Sequence, residues 1–162
     1  MGPKDIIRKT IDVSDFILQS YLKDLSDADL KLVPVEGMHP IALQLGHLIS
    51  AERMFVEMVR PGISPPLPTG FEDAHSLKDP PKDDSKYLTK DEYVKLYESQ
   101  RAALKSVVDV VPDSDLEDTR DGKLPEFAPT VADVLNMAGV HSLNHSGQFV
   151  AVRRALKKPI AF

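Results

Sequence analysis

Apolar residues recur along this chain at three- and four-residue spacings in four long stretches, and no segment alternates at the two-residue period of a strand. The first stretch runs from about Lys4 to Lys23, with Ile6, Val13, Ile17 and Tyr21 near one face and Ile7, Ile11 and Leu18 beside it. The second opens near Pro40, a residue whose fixed φ suits a helix start, and stops at Pro61-Gly62. The third opens on Thr89-Lys90-Asp91-Glu92, a capping box in which hydroxyl and carboxylate satisfy each other's backbone N–H groups. Its stripe then reads Tyr93, Leu96, Tyr97, Gln100, Leu104, Val107, Val108 and Val111, and Pro112 ends it. The fourth opens at Thr130, with Asp133 three residues on, and continues to about Lys157 before Pro159. Helices of roughly 20 to 27 residues are each ~30–40 Å long, which predicts an all-α fold, a four-helix bundle.

The connections set the topology. The segment 61–88 holds six of the thirteen prolines together with several Asp and Lys residues. It is too polar and too Pro-broken for an element, yet long enough to travel the height of a bundle. The second and third helices are therefore expected to run parallel, joined by a crossover, in an up-down-down-up arrangement over a single domain, 1–162. The segment 112–129 is acidic, with Asp113, Asp115, Glu117, Asp118 and Asp121. It imitates a calcium loop but places Asp118 where the tight-turn glycine must stand, so a solvated loop is the reading.

Composition narrows the chemistry. Of 162 residues, 42% are hydrophobic and 28% charged, the balance of an ordinary globular chain. The net charge of -5 gives no electrostatic grip on a phosphate backbone, which argues against nucleic acid. There is no cysteine, so disulfides, thiolate ligands and a cysteine nucleophile are excluded. No apolar run approaches the ~18 residues of a membrane span and no signal pattern opens the chain. Gly2 lacks the Ser or Thr that myristoylation wants at position 6, which is Ile6. A cytoplasmic protein without membrane partners is the expectation.

Polar residues on an apolar helix face are the informative ones. On the fourth helix the apolar arc centres on Val131, Val134, Ala138, Phe149, Val152 and Leu156, and His141, His145 and Gln148 fall inside it. His141 and His145 stand one turn apart, so their imidazoles project side by side as two ligands of one metal ion need. Two imidazoles in a dry core are costly without partners, and an ion relieves that cost. Gln148 continues the row, either orienting a ligand ring or substrate or resting as a satisfied core amide, and Asn144 lies at its edge. A third ligand is needed, and His47 is the candidate. It sits among Leu43, Ala51, Met54 and Met58, away from the polar face of Gly46, Ser50, Arg53, Glu57 and Arg60. Glu52 also lands in the apolar arc, about 140° round the wheel from His47, as a buried partner for another helix or a pocket acid. Tyr97 and Gln100 on the third helix read as pocket lining or as core residues with a polar tip. His39 and His75 are expected to be solvated, and Ser142 and Ser146 to be small packing residues. HExxH, a glycine-rich phosphate loop and GxSxG are all missing.

The run Glu36-Gly37-Met38-His39-Pro40-Ile41-Ala42-Leu43-Gln44-Leu45-Gly46-His47-Leu48, with Glu52 following, resembles the second-helix motif of the DinB-like (YfiT-like) metalloenzymes. Thr130-Val131-Ala132-Asp133-Val134-Leu135, then His141-Ser142-Leu143-Asn144-His145-Ser146-Gly147-Gln148, resembles their fourth-helix motif HxxxHxGQ, continued by Arg153-Arg154-Ala155-Leu156. The resemblance implies a bundle with a long crossover, usually dimeric. It also implies a divalent zinc or nickel ion on three histidines, falling here on His47, His141 and His145. Characterised members include thiol-dependent S-transferases and isomerases. The chain departs from the common pattern in having no tryptophan.

Three neutral nitrogen ligands leave an ion its full charge and an open position, the catalytic arrangement, able to bring the pKa of bound water or thiol towards ~7. The expectation is a metal-dependent transferase or hydrolase that activates a low-molecular-weight thiol or water against a small-molecule substrate, with the 61–88 segment covering the mouth. The rival is a non-catalytic dimeric bundle, a stress or interaction protein with a structural or relic site. The far side of the fourth helix favours a homodimer, because Gly139, Val140, Leu143, Gly147, Val150 and Ala151 make it apolar nearly all round.

Overall fold

The computed structural model describes residues 1–160. It contains α1 (Pro3–Leu22), α2 (Asp27–Leu30), α3 (Ile41–Val59), α4 (Phe71–Ala74), α5 (Lys90–Val110) and α6 (Val131–Ala155). Single 3-10 turns follow α5 at Asp113–Asp115 and Arg120–Gly122, and the described residues contain no strand. Each long helix begins where local chemistry starts it. Thr89 caps α5 and Thr130 caps α6, each exchanging hydrogen bonds with the carboxylate three residues on. Pro40 is the N-cap of α3, with extended ψ, so the helix begins one residue later. The same box, Ser26 with Asp29, starts the one-turn α2, which the apolar pattern is too short to reveal. Likewise α4 is a single turn inside the 61–88 connection, where the proline content predicts no element at all.

The four long helices pack as a bundle, with α1 against α6, α3 against α5 and α6, and a lighter contact of α1 with α5. Lys4 of α1 donates to the carbonyls of Asp109 and Val111, whereas Lys90 at the other end of α5 donates to those of Lys23 and Leu25. These two helices therefore run in opposite directions. Thr10 lies against Gly139, and Arg153 reaches the carbonyl of Tyr21 and the carboxylate of Asp24, so α1 and α6 run the same way. Gly139 has a plain reason: a Cβ there would stand 2.9 Å from the Thr10 methyl and 3.2 Å from its backbone. This part of the small-residue face of α6 packs within the chain.

Two apolar clusters fill the interior. One holds Ile7, Ile11, Phe55, Val59, Leu104, Val108 and Val134; the other holds Leu18, Leu45, Ile49, Tyr93, Phe149 and Val152. A polar layer separates them. In it Arg101 of α5 pairs with Glu52 of α3 and donates to the hydroxyls of Tyr97, Ser142 of α6 and Ser14 of α1. All four long helices meet at this one buried charge pair. Ser142, expected only to pack, is an acceptor in it.

The 61–88 connection is pinned to α3 and α5. Glu57 accepts the backbone N–H groups of Gly62 (2.7 Å) and Ser64 (2.9 Å), and those bonds hold its carboxyl down at about 2. Gln100 donates to the carbonyl of Pro65 at 2.9 Å. His75 corrects the sequence reading. It is only 2% exposed, not solvated, with its ring nitrogens 2.7 Å from the Phe71 carbonyl and 2.7 Å from the Tyr93 hydroxyl. The ring packs directly against Gly46, so that residue is buried on α3 and is not part of its polar face. The 112–129 segment is likewise more than a solvated loop. Leu116 and Ala128 are buried, and the carbonyls of Asp118 and Leu116 accept the N–H groups of Val131 and Ala132 at the start of α6.

Candidate metal centre

The layer that interrupts the apolar core also contains the histidines. One turn of α6 separates His141 from His145, and α3, packed against α6, brings His47 up to both. His141 Nε2 lies 3.2 Å from His145 Nε2 and 3.3 Å from His47 Nε2. The donor atoms of all three lie within 4.8 Å of one another. His145 is buried, while His47 and His141 are half-buried. Nitrogens bound at about 2.0–2.1 Å in a tetrahedral arrangement stand roughly 3.3 Å apart, so the two spacings around His141 match those of a zinc-sized ion.

Protonation favours the same reading. Burial, with His47 beside it, pushes His141 down to about 4. Burial, with His141 and His47 nearby, pushes His145 down to about 3. Burial also holds His47 below the ordinary histidine value. All three rings are neutral near pH 7, the form that ligates metal. Three neutral imidazole nitrogens facing one another at these distances either share a hydrogen or set lone pair against lone pair, and a cation between them would satisfy all three.

Gln44 fixes which nitrogen of His145 is bare. Its amide N–H donates to the carbonyl of His39 (2.9 Å), which turns its oxygen toward His145. That oxygen lies 2.9 Å from His145 Nδ1, so Nδ1 carries the hydrogen and Nε2 is left with a lone pair facing the other two rings. Sequence reasoning missed Gln44. The available signal was an amide one turn before His47, on a helix otherwise apolar at that level. It is 1% exposed.

The remaining candidates are spread over the layer and its edges. Glu52 is 1% exposed and paired with Arg101, and burial, offset in part by that guanidinium, pushes its carboxyl up to about 7. Tyr97 is a core residue whose hydroxyl receives Arg101, and burial pushes its phenol up. Gln100 is buried and holds Pro65. Gln148 is half-buried, without a side-chain hydrogen bond to the described residues, and Asn144 is exposed. His39 contributes its carbonyl to Gln44 and stands outside the cluster.

A trough of about 570 Å³ opens beside His47 along the outer flank of α3. Ala51, Met54 and Met58 form its apolar floor, and Ser50, Arg53 and Glu57, with Glu72 from α4, form its polar side. The centre thus has an approach on the α3 side. Among the described residues no helix is long and apolar enough to cross a membrane.

Comparison with known proteins agrees with this architecture. The family model of the DinB superfamily matches residues 17–149. A solved structure, a conserved protein of Enterococcus faecalis, superposes with a TM-score of 0.72 at 18% identity, covering 97% of this chain and 98% of that one. At that identity the likeness speaks for the fold. None of the curated proteins matches the chain.

Proposed function

Because the chain belongs to the DinB superfamily and brings three imidazoles to one point, we propose that it is a metal-dependent enzyme in which His47, His141 and His145 hold a divalent ion, zinc or nickel. The long helices are read as an up-down-down-up four-helix bundle, with 61–88 as its crossover. The reaction proposed is of the transferase or hydrolase type on a small molecule. When bound, such an ion lowers the pKa of a coordinated thiol or water and so supplies a nucleophile at neutral pH. The chain's own part is to keep the three rings neutral by burial, to fix the His145 tautomer through Gln44, and to present a substrate along the α3 trough. The convergence of three Nε2 atoms without an acidic ligand carries the reading, since three neutral ligands leave the ion its charge and a vacant position.

The chain is further proposed to form a homodimer through the outer face of α6. There Val140 is 44% exposed, and nothing stands within 4 Å of a Cβ placed on Gly147. That face equally suits the rival reading of a non-catalytic dimeric bundle with a structural metal. The two readings separate in one assay. Zinc- or nickel-loaded protein, mixed with a low-molecular-weight thiol and an arylating electrophile, is expected to accelerate conjugate formation, and His141→Ala to abolish the acceleration. A rate indifferent to chelator and to the substitution favours the non-catalytic bundle.

A further inference from the structure

The trough beside His47 has a chemical polarity of its own. Its floor of Ala51, Met54 and Met58 is apolar, and Arg53 flanks it on the same helix. The carboxylate of Glu57, which also lines it, is already occupied, accepting the backbone N–H groups of Gly62 and Ser64. Arg53 is the under-used group. Of its five donors one makes a single 3.4 Å contact, to Glu72 on α4, and its Nε is buried with no hydrogen-bond partner. The Arg53–Glu72 pair is exposed, with side chains 38% and 58% accessible, so it is weak and readily exchanged. The donor capacity left over on the α3 wall is therefore that of Arg53, whose charge also acts on the neighbouring Glu57.

We propose that Arg53 is an anion subsite of this centre, and that the substrate or cosubstrate is an elongated small molecule carrying a carboxylate or similar anion at the end remote from its reacting atom. Arg53 stands six positions beyond His47 on α3, a rise of about 9 Å along the helix axis, and the apolar residues of the trough lie alongside that path. A ligand with its reacting group at the histidines, an aliphatic middle over Met54 and its anion on the guanidinium matches the trough from end to end. The anion displaces Glu72, and a bidentate, charge-assisted pair replaces one long contact. This inference rests on the metal reading of the three histidines and adds to it a residue that decides which molecules bind.

The test uses cobalt-loaded protein titrated with mercaptohexanoate, mercaptohexanol and the shorter mercaptopropionate, followed by the thiolate-to-cobalt absorption. The wild type is expected to bind mercaptohexanoate about tenfold tighter than mercaptohexanol, and tighter than mercaptopropionate, which is too short to span the distance. Arg53→Gln is expected to keep its metal and lose the preference for the acid. Glu72→Gln, which removes the competing carboxylate, is expected to sharpen that preference. Equal affinity for acid and alcohol in the wild type, or a preference that survives in Arg53→Gln, overturns the anion subsite and leaves the metal reading standing. Failure of the wild type to take up cobalt, zinc or nickel overturns both.

Discussion

Gln44 shows how one side chain readies an imidazole nitrogen to accept a metal ion. Its amide is oriented by the His39 carbonyl and in turn assigns the proton of His145 to Nδ1. Removing it leaves the ring free to rotate and to change tautomer. Gln44→Ala is expected to weaken metal affinity about 10- to 100-fold in competition with a chromophoric chelator, while metal still binds at saturating concentration. An unchanged affinity would remove Gln44 from the account. The histidines also predict a pH dependence of the metal-free protein. Their folded-state values lie below the ordinary 6.5, His141 at about 4 and His145 at about 3, so the unfolded chain binds more protons between those limits. The stability they contribute is fully present above 6.5 and is lost as the pH falls toward 4 and 3. Glu52, raised from 4.5 to about 7, has the opposite sign, and its contribution falls as the pH rises from 4.5 to about 7. Comparison with His141→Ala isolates the histidine part. Denaturant midpoints of the metal-free wild type should fall more steeply between pH 6.5 and 4 than those of the variant, and parallel slopes would contradict the neutral-ring assignment.

At the level of elements, α5 and α6 were legible to within a residue or two, because a capping box opens each. The His141–His145 pair was legible for a related reason: helical spacing alone places the two on one face. What the pattern hid were features made by tertiary contact. His75 lies in a Pro-rich segment whose composition says solvent, yet it is buried because Phe71 and Tyr93 satisfy both ring nitrogens and Gly46 gives the ring room. A glycine inside a helix does not announce what covers it. The consequence is testable at α3. In Gly46→Ala the new Cβ would stand 2.0 Å from ring atoms of His75, whose two hydrogen bonds resist displacement. The cost is expected to be about 1–3 kcal/mol in chemical denaturation, together with faster proteolysis in 61–88. A variant as stable as the wild type would mean that the 61–88 connection is not held down by this contact.

Over the whole molecule, the core is two apolar clusters divided by a layer of charge and imidazole. The dividing pair, Glu52 with Arg101, links helices that also carry His47 and, through Ser142, the residue next to His141. A buried ion pair gains little net stability over apolar packing, but stranding one member is expensive. Arg101→Met alone is therefore expected to destabilise the protein by about 3–5 kcal/mol, and Glu52→Met added to it to recover much of that loss, as measured by urea unfolding of the double-mutant cycle. Additive losses would argue that the two charges act independently. The sequence placed Glu52 in the interior but not its partner, since Arg101 on α5 carries no local sign of burial. This same layer is proposed to hold a metal ion on three neutral imidazoles. Elemental analysis of untagged wild-type protein beside His145→Ala decides the matter. Close to one equivalent of zinc or nickel is expected in the wild type, and its loss in the variant. A wild type that holds no metal after incubation with both ions would leave the three histidines without an ion to bind.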